Sequence, residues 1–521
     1  MPMYQILLTR KYLLSKIMPF LAALCLSLCT GLVLVVWSVM GGFLTTLLDT
    51  GRTFAGDVTI TWPSGIPHYQ RLLEIVRKDP RVHAATPVIE TFALMRLPDD
   101  RVEGVQVRGI EGPSYAATVG YDKALWWRPI SEPIKTDEKG LDPRLSGDQD
   151  WKQTYDDGMS LTRRAGRNGP QIPAAVVGID ASGFNKLQDE GYYVAQGLVR
   201  PTSDGKTQSL PRYLFDNSIT LNLIPLDSQG RLQTLVSKTL PVANEFRTGI
   251  SEMDRRTVFV QFDEMQRLMK MDAVPKVVPK SGGAFNPYEG VNRTGDTKLP
   301  EIQTGELAPA RSSSVLVKAK QGVGADELRE AMTAAYAQFA REFRDVPGVD
   351  RLTGSNLIRT WAQANATLVN QVKRETALVL FLFWFITLVC SVLILAIFWA
   401  MISEKTKDIG VLRSVGATRS GIAGLWIGYG LILGVVGSLA GLALGYFVVT
   451  NINAIHEALG RYFGLYIWEP RVYLFSGIPD KVNPWHALIV TSAGIAFAVL
   501  GAIVPALRAA LMQPVRALRF E

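Results

Sequence analysis

SEKTKDIGVLRSVGATR, residues 403–419, places charged side chains between two long runs that have none. Residues 376–403 contain no Asp, Glu, Lys, Arg or His, and neither do residues 420–455. Each run exceeds the ~20 apolar residues that a membrane-spanning helix requires. The charged stretch is therefore a short excursion into water between two predicted spans. It is the place where a soluble partner can grip the chain.

Two further uncharged runs complete the pattern. Residues 17–48 follow a segment, MYQILLTRKYLLSK (3–16), in which leucine pairs are interspersed with Arg10, Lys11 and Lys16. That mixture suits a helix lying at the membrane interface before the chain turns inward. The run is about twice the ~7–15 residue apolar core of a cleavable signal peptide, so a retained span is expected. Residues 487–507 form the fourth run, which contains Pro505 and is followed by Arg508, Arg516 and Arg519. Four spans put both termini on one side. Arg10, Lys11, Lys16, Lys405, Lys407, Arg413, Arg419 and the C-terminal arginines all fall on that face, which the positive-inside rule makes cytosolic. Within the third run, Gly437, Gly441 and Gly445 recur at a spacing of four, a ladder that lets helix backbones approach closely in lipid.

The chain of 521 residues has a hydrophobic fraction of 48%, a net charge of +8 and a mean hydropathy of +0.14. The basic residues flank apolar runs rather than forming a stripe, which argues against nucleic-acid binding. The expected fold is a membrane protein with four transmembrane α-helices and a large α+β extracytoplasmic domain inserted between helices 1 and 2. Its parts are an interfacial helix and first span (1–48), the domain (49–352), a stalk and second span (353–403), and the cytosolic segment (404–419). A third span (420–455), an outer loop (456–486), a fourth span (487–507) and a cytosolic tail (508–521) follow. Inside the domain, residues 58–62 and 104–110 alternate like strands, and 69–78 and 325–343 read as helices. Residues 114–170 and 271–309 read as loop-like insertions. From Ser355 to Ser403 nothing breaks the helical period, so a continuous stalk of ~70 Å is expected. The three cysteines, Cys25, Cys29 and Cys390, all lie in uncharged runs. Cys25 and Cys29 share a helix face but read as small packing residues, and no metal site is expected.

Chemistry of its own is hard to find in the chain. DGKT at 204–207 lacks the first glycine of a phosphate-binding loop, because Arg200 stands there, and no G-x-S-x-G elbow is present. A non-enzymatic subunit is expected, driven by another chain. The 403–419 stretch then reads as a short docking helix, with Ile409, Val411, Leu412 and Val415 available to a groove. Glu404, Lys405, Lys407, Asp408 and Arg413 surround them, and Gly416 permits a sharp exit.

The same stretch resembles the E-[KR]-T-x-[DE]-I-G-x-L-[RK]-x-[ILV]-G-A-[ST] loop of the FtsX/MacB-like superfamily of ABC transporter permeases, and Gly410 falls within it. Other segments are similar to the lipoprotein-releasing LolC/LolE branch. They are VMGGF at 39–43, EFRTGISEMDRRTVFVQFDEMQRLM at 245–269, Trp361 with Asn365, VPA at 504–506 and PVRALRFE at 514–521. The resemblance implies a dimer with a second permease, identical or paralogous, above two ABC ATPase subunits that bind ATP and Mg. It implies an inner-membrane location and a task of releasing lipoproteins, with Met40 and Phe43 facing the acyl chains. A periplasmic carrier would dock on a hook near 225–241. The alternative within the superfamily is a mechanotransmitting permease for efflux or for control of cell-wall hydrolases.

Overall fold

The computed structural model describes residues 17–132, 142–145, 150–166, 169–188, 192–201, 207–225, 234–279, 302–344, 346, 349, 357–465 and 478–513. The opening interfacial segment and the 514–521 ending lie outside these residues. The chain divides into two compact units, one of residues 1–47 with most of the chain from 366 onward, the other essentially residues 48–365.

The first unit is helical: α1 (Ile17–Ala55), α2 (Ala366–Glu404), α3 (Thr406–Ser414), α4 (Arg419–Thr450), α5 (Ile452–Phe463) and α6 (Pro484–Leu511). Among the described residues, α1, α2, α4 and α6 are long and apolar enough to cross a membrane. In lipid, helices associate through close packing, so small residues decide which faces meet. A Cβ on Gly441 would lie 2.5 Å from the Ser27 carbonyl oxygen, and one on Gly445 would lie 3.0 Å from that of Gly31. The glycine ladder is thus the seam between α4 and α1. Nearer the start of α4 the same stripe uses Gly430 and Gly434, whose added Cβ atoms would lie 2.6 and 3.0 Å from the Cβ atoms of Ala502 and Ala498 on α6. α2 joins this core with Ile394, Phe398, Met401 and Ile402, and much of the rest of it is open. Phe381, Trp384, Phe385 and Val392 are all more than half exposed along it.

The second unit is built on nine strands: β1 (Val58–Pro67), β2 (Val82–Arg96), β3 (Val102–Ile110), β4 (Ala175–Gly178), β5 (Ser218–Leu223), β6 (Val236–Phe246), β7 (Thr257–Gln261), β8 (Arg311–Ala319) and β9 (Ile358–Thr360). They run in the order β5-β6-β4-β7-β3-β2-β8-β1-β9, and β5 also pairs with β2. That extra pairing closes six strands into a ring, which removes two open edges. The length of β2 makes it possible: one edge pairs with β8 over Val82–Val88 and with β5 over Ala93–Arg96. The strand that follows α1 and the strand that precedes α2 are hydrogen-bonded neighbours, with Val58 opposite Thr360 and Ile60 opposite Ile358.

Several expectations are corrected here. The described residues of the 114–170 segment are not all loop: they contain helices at Tyr121–Ala124 and Trp151–Ser160 and most of one at Gly112–Val119. Trp127 is fully buried and stacks on Trp151 with ring centroids 5.2 Å apart. The aromatic residues carry this segment without a steady period because their further ring partners, Tyr213 and Phe215, lie far along the chain. Asn244 on β6 fastens it, donating to the carbonyls of Trp127 and Thr154 at 2.9 Å each and accepting from the Trp127 amide at 3.2 Å. In the 271–309 segment, Val274–Pro279 pairs antiparallel with Ile302–Ala308, and 280–301 lies outside the described residues. The stalk is not continuous from Ser355. β9 ends at Thr360, whose hydroxyl caps a short helix, Trp361–Ala364, with Gln363 completing a capping box, and α2 begins only after Asn365. α2 has 39 residues, ~58 Å at 1.5 Å per residue. The outer loop opens with α5, and the fourth helix runs on through Pro505 to Leu511.

Candidate functional site

α3 is the short helix of the 403–419 stretch. Its start is tied back to α2 by the Thr406 hydroxyl, which donates to the Ser403 carbonyl at 2.8 Å. Its end is a Schellman turn: the Gly416 amide bonds to the Arg413 carbonyl at 3.2 Å and the Ala417 amide to the Leu412 carbonyl at 3.0 Å. Gly416 has φ of +107°, a conformation that costs a residue with a Cβ ~1–2 kcal/mol. Two residues later Thr418 caps α4, accepting from the Gly421 amide at 3.1 Å. The sequence VGAT therefore ends one helix and starts the next. Gly416→Ala is expected to lower the stability of the full chain by about 1 kcal/mol, read as a lower melting temperature in detergent, since only strain and no clash is introduced.

The two sides of α3 differ. Ile409 is 3% exposed and belongs to a buried cluster with Met401, Ile402, Ile422 and Leu425. Thr406 and Gly410 are buried on the same side. Ile409 and Gly410, expected from the sequence among the docking residues, are buried here and seat the helix on its own bundle. The outward stripe is Lys407, Val411 and Val415, spaced by four, with Val411 50% and Val415 84% exposed. Glu404 and Asp408 are exposed beside it, Leu412 and Arg413 are half-buried, and Gly416 lies at the exposed end. Lys405 and Asp408 form an ion pair at 2.9 Å. Arg413 Nε is buried with no hydrogen-bond partner among the described residues. At the neighbouring helix ends, the Arg508 guanidinium sits 3.9 Å from the Trp399 ring centroid, joining α6 to α2.

Met40 and Phe43 lie half-buried near the other end of the first candidate span. The glycines between them have a packing role. A Cβ on Gly42 would lie 2.7 Å from Pro479 Cβ, and one on Gly41 would lie 3.4 Å from the His486 ring, which stacks on Trp37 at 4.5 Å. The FRTG stretch is likewise structural: Asp254 accepts from the Thr248 amide at 2.6 Å, the Thr248 hydroxyl at 2.7 Å and the Gly249 amide at 2.9 Å. The hook position falls on the β5–β6 hairpin, whose residues 226–233 lie outside the described ones. The reading of Cys25 and Cys29 as a packing pair missed Cys390, which the fold places against both, 2.9 Å from each sulfur. A separation of 361 residues left no local signal for it.

Residues 380–514 match the family described as FtsX-like permease C-terminal. This region is an FtsX-like permease domain. The lipoprotein-releasing system transmembrane protein LolC of Xylella fastidiosa (strain Temecula1) is 26% identical over 284 residues, which is 54% of this chain and 56% of that protein. LolE of Haemophilus influenzae is 29% identical over 130 residues, 25% of this chain and 30% of its own. The macrolide export ATP-binding/permease protein MacB of Hyphomonas neptunium is 28% identical over 134 residues, 26% of this chain and 18% of its own. The chain spans about half the length of the first of these relatives. It is consistent with an ABC permease of the LolC/LolE type.

Proposed function

We propose that this FtsX-like chain is the permease subunit of an ATP-driven ABC complex that releases lipoproteins from the inner membrane. The observation that carries the proposal is the outward stripe of Lys407, Val411 and Val415 on a helix whose other side is sealed by Ile409. Isolated exposed valines are ordinary, but two on one stripe beside charged neighbours, between two spans, suit a groove in a partner. The basic residues around α3 and after α6 support a cytosolic location for this face and a periplasmic one for the sheet domain. The partner is an ABC ATPase, which binds the ATP and Mg. Its movement passes through α3 to α2, and from there along the covalent path through β9 and its neighbour β1 to the sheet domain. A second permease, identical or paralogous, covers the exposed apolar side of α2. The similarity to LolC over 284 residues favours lipoprotein as cargo, handed to a periplasmic carrier. Efflux is the second reading, supported by the similarity to MacB over about a quarter of the chain.

Depletion of the protein in cells is the test. Retention of lipoproteins in the inner membrane, together with copurification of an ABC ATPase, is the expected result. Correct sorting of lipoproteins with the ATPase still bound would overturn the cargo and leave efflux.

A further inference from the structure

Cys25 and Cys29 stand one turn apart on α1, and Cys390 on α2 projects between them. Its sulfur is 2.9 Å from each of theirs, and the three sulfurs lie within 4.8 Å of one another. Cys390 is buried, whereas Cys25 and Cys29 are half-buried. These are the only cysteines in a chain of 521 residues, and all three sit in runs without a charged residue or a histidine.

We propose that the three thiols form a binding site for one soft monovalent d10 cation of the Cu(I) class, bridging the first and second spans. Ligand type and number both point there. Sulfur donors select soft ions. Among the described residues no fourth Cys, His or carboxylate joins the group, whereas structural zinc is almost always held by four such ligands. The apolar surroundings add a constraint on charge, because a net charge inside a membrane is costly. A monovalent cation bound by one thiolate and two neutral thiols is neutral overall: one S–H bond breaks, one proton leaves to water, and no electron is transferred. A divalent ion on the same three ligands must release two protons to reach neutrality and still lacks its fourth donor. Metal–sulfur bonds of ~2.3 Å in a plane need the sulfurs ~4 Å apart, about 1 Å wider than the two short separations, which side-chain rotation supplies. Occupancy ties α1 to α2.

The experiment uses the full chain, purified without oxygen in detergent and titrated with Cu(I) against a chromophoric Cu(I) chelator. One equivalent is expected to bind with a sulfur-to-copper charge-transfer band in the ultraviolet, and C25S, C29S and C390S are each expected to weaken binding at least tenfold. Bound Cu(I) is also expected to protect Cys25 and Cys29 from maleimide labelling. Melting curves of the three variants control for misfolding, and the maleimide assay on the unsubstituted chain remains informative if a variant fails to fold. Binding that survives in C390S, or no protection of the thiols, overturns the proposal. So does recovery of Cys390 in a disulfide from the oxygen-free preparation.

Discussion

Replacing Val411 and Val415 together by Asp is expected to uncouple the chain from its ATPase while leaving the helical unit folded. Both side chains are half or more exposed, so two carboxylates there cost the isolated chain little. In the complex they would stand in the partner's groove, where loss of a central contact typically costs ~2 kcal/mol or more. A loss of at least ~30-fold in ATPase affinity follows from that figure. Copurified ATPase per permease measures it, with the melting temperature as the control. Ile409→Asp is the contrasting variant: a charge placed at a 3% exposed site, within reach of Met401 and Ile422, destabilises the bundle itself. Full ATPase recovery with the double valine variant would show that the outward stripe is not the docking face.

Stability of the sheet domain is expected to fall as pH rises from 5 to 8.5. Glu245 on β6 is fully buried, and burial raises its carboxyl from 4.5 to about 8, against the lowering effect of bonds from Trp127, Asn185 and Ser182. Trp127 Nε1 donates to Oε2 at 2.7 Å and Asn185 Nδ2 to Oε1 at 2.7 Å. Among the described residues the buried Asn185 carbonyl oxygen has no hydrogen-bond partner, so rotating that amide by half a turn lets it accept the proton of a neutral Glu245. A pKa raised in the folded state means that the folded chain holds the proton more tightly than the unfolded one. The stabilisation is complete below pH 4.5 and is lost as pH rises through about 8. At ~1.4 kcal/mol per unit the whole change is at most ~5 kcal/mol. Hydrogen exchange of the β6 amides in the full chain measures it. Glu245→Gln keeps the shape and can bond to both neighbours, so it is expected to flatten the slope. An unchanged slope in that variant would mean that Glu245 is ionised throughout.

These two predictions differ in how far the sequence alone leads to them. The docking helix is legible because its boundaries are local: a run without charge must stop where Glu404 enters, Gly416 supplies a left-handed turn, and Thr418 caps the next helix. Which side of that helix faces outward is not local. Ile409 and Val411 are both β-branched aliphatics two positions apart, and only the cluster beneath decides that the first is buried and the second exposed. Glu245 shows the same limit. A glutamate in a strand reads as an exposed polar residue until Trp127 and Asn185, 118 and 60 positions away, close over it.

The sequence by itself determined the four apolar helices, the insertion of a sheet-rich domain between the first two, and the charged helix between the second and third. Each of these follows from a requirement that acts along the chain: about 20 consecutive residues without charge for a span, and a capping residue at a turn. Only the tertiary structure decided that β2 pairs with both β8 and β5 to close a ring, that Trp127 is buried against Trp151, and that Cys390 meets Cys25 and Cys29. Those outcomes depend on contacts between residues tens to hundreds of positions apart, where the gain comes from shape and partner rather than from residue type.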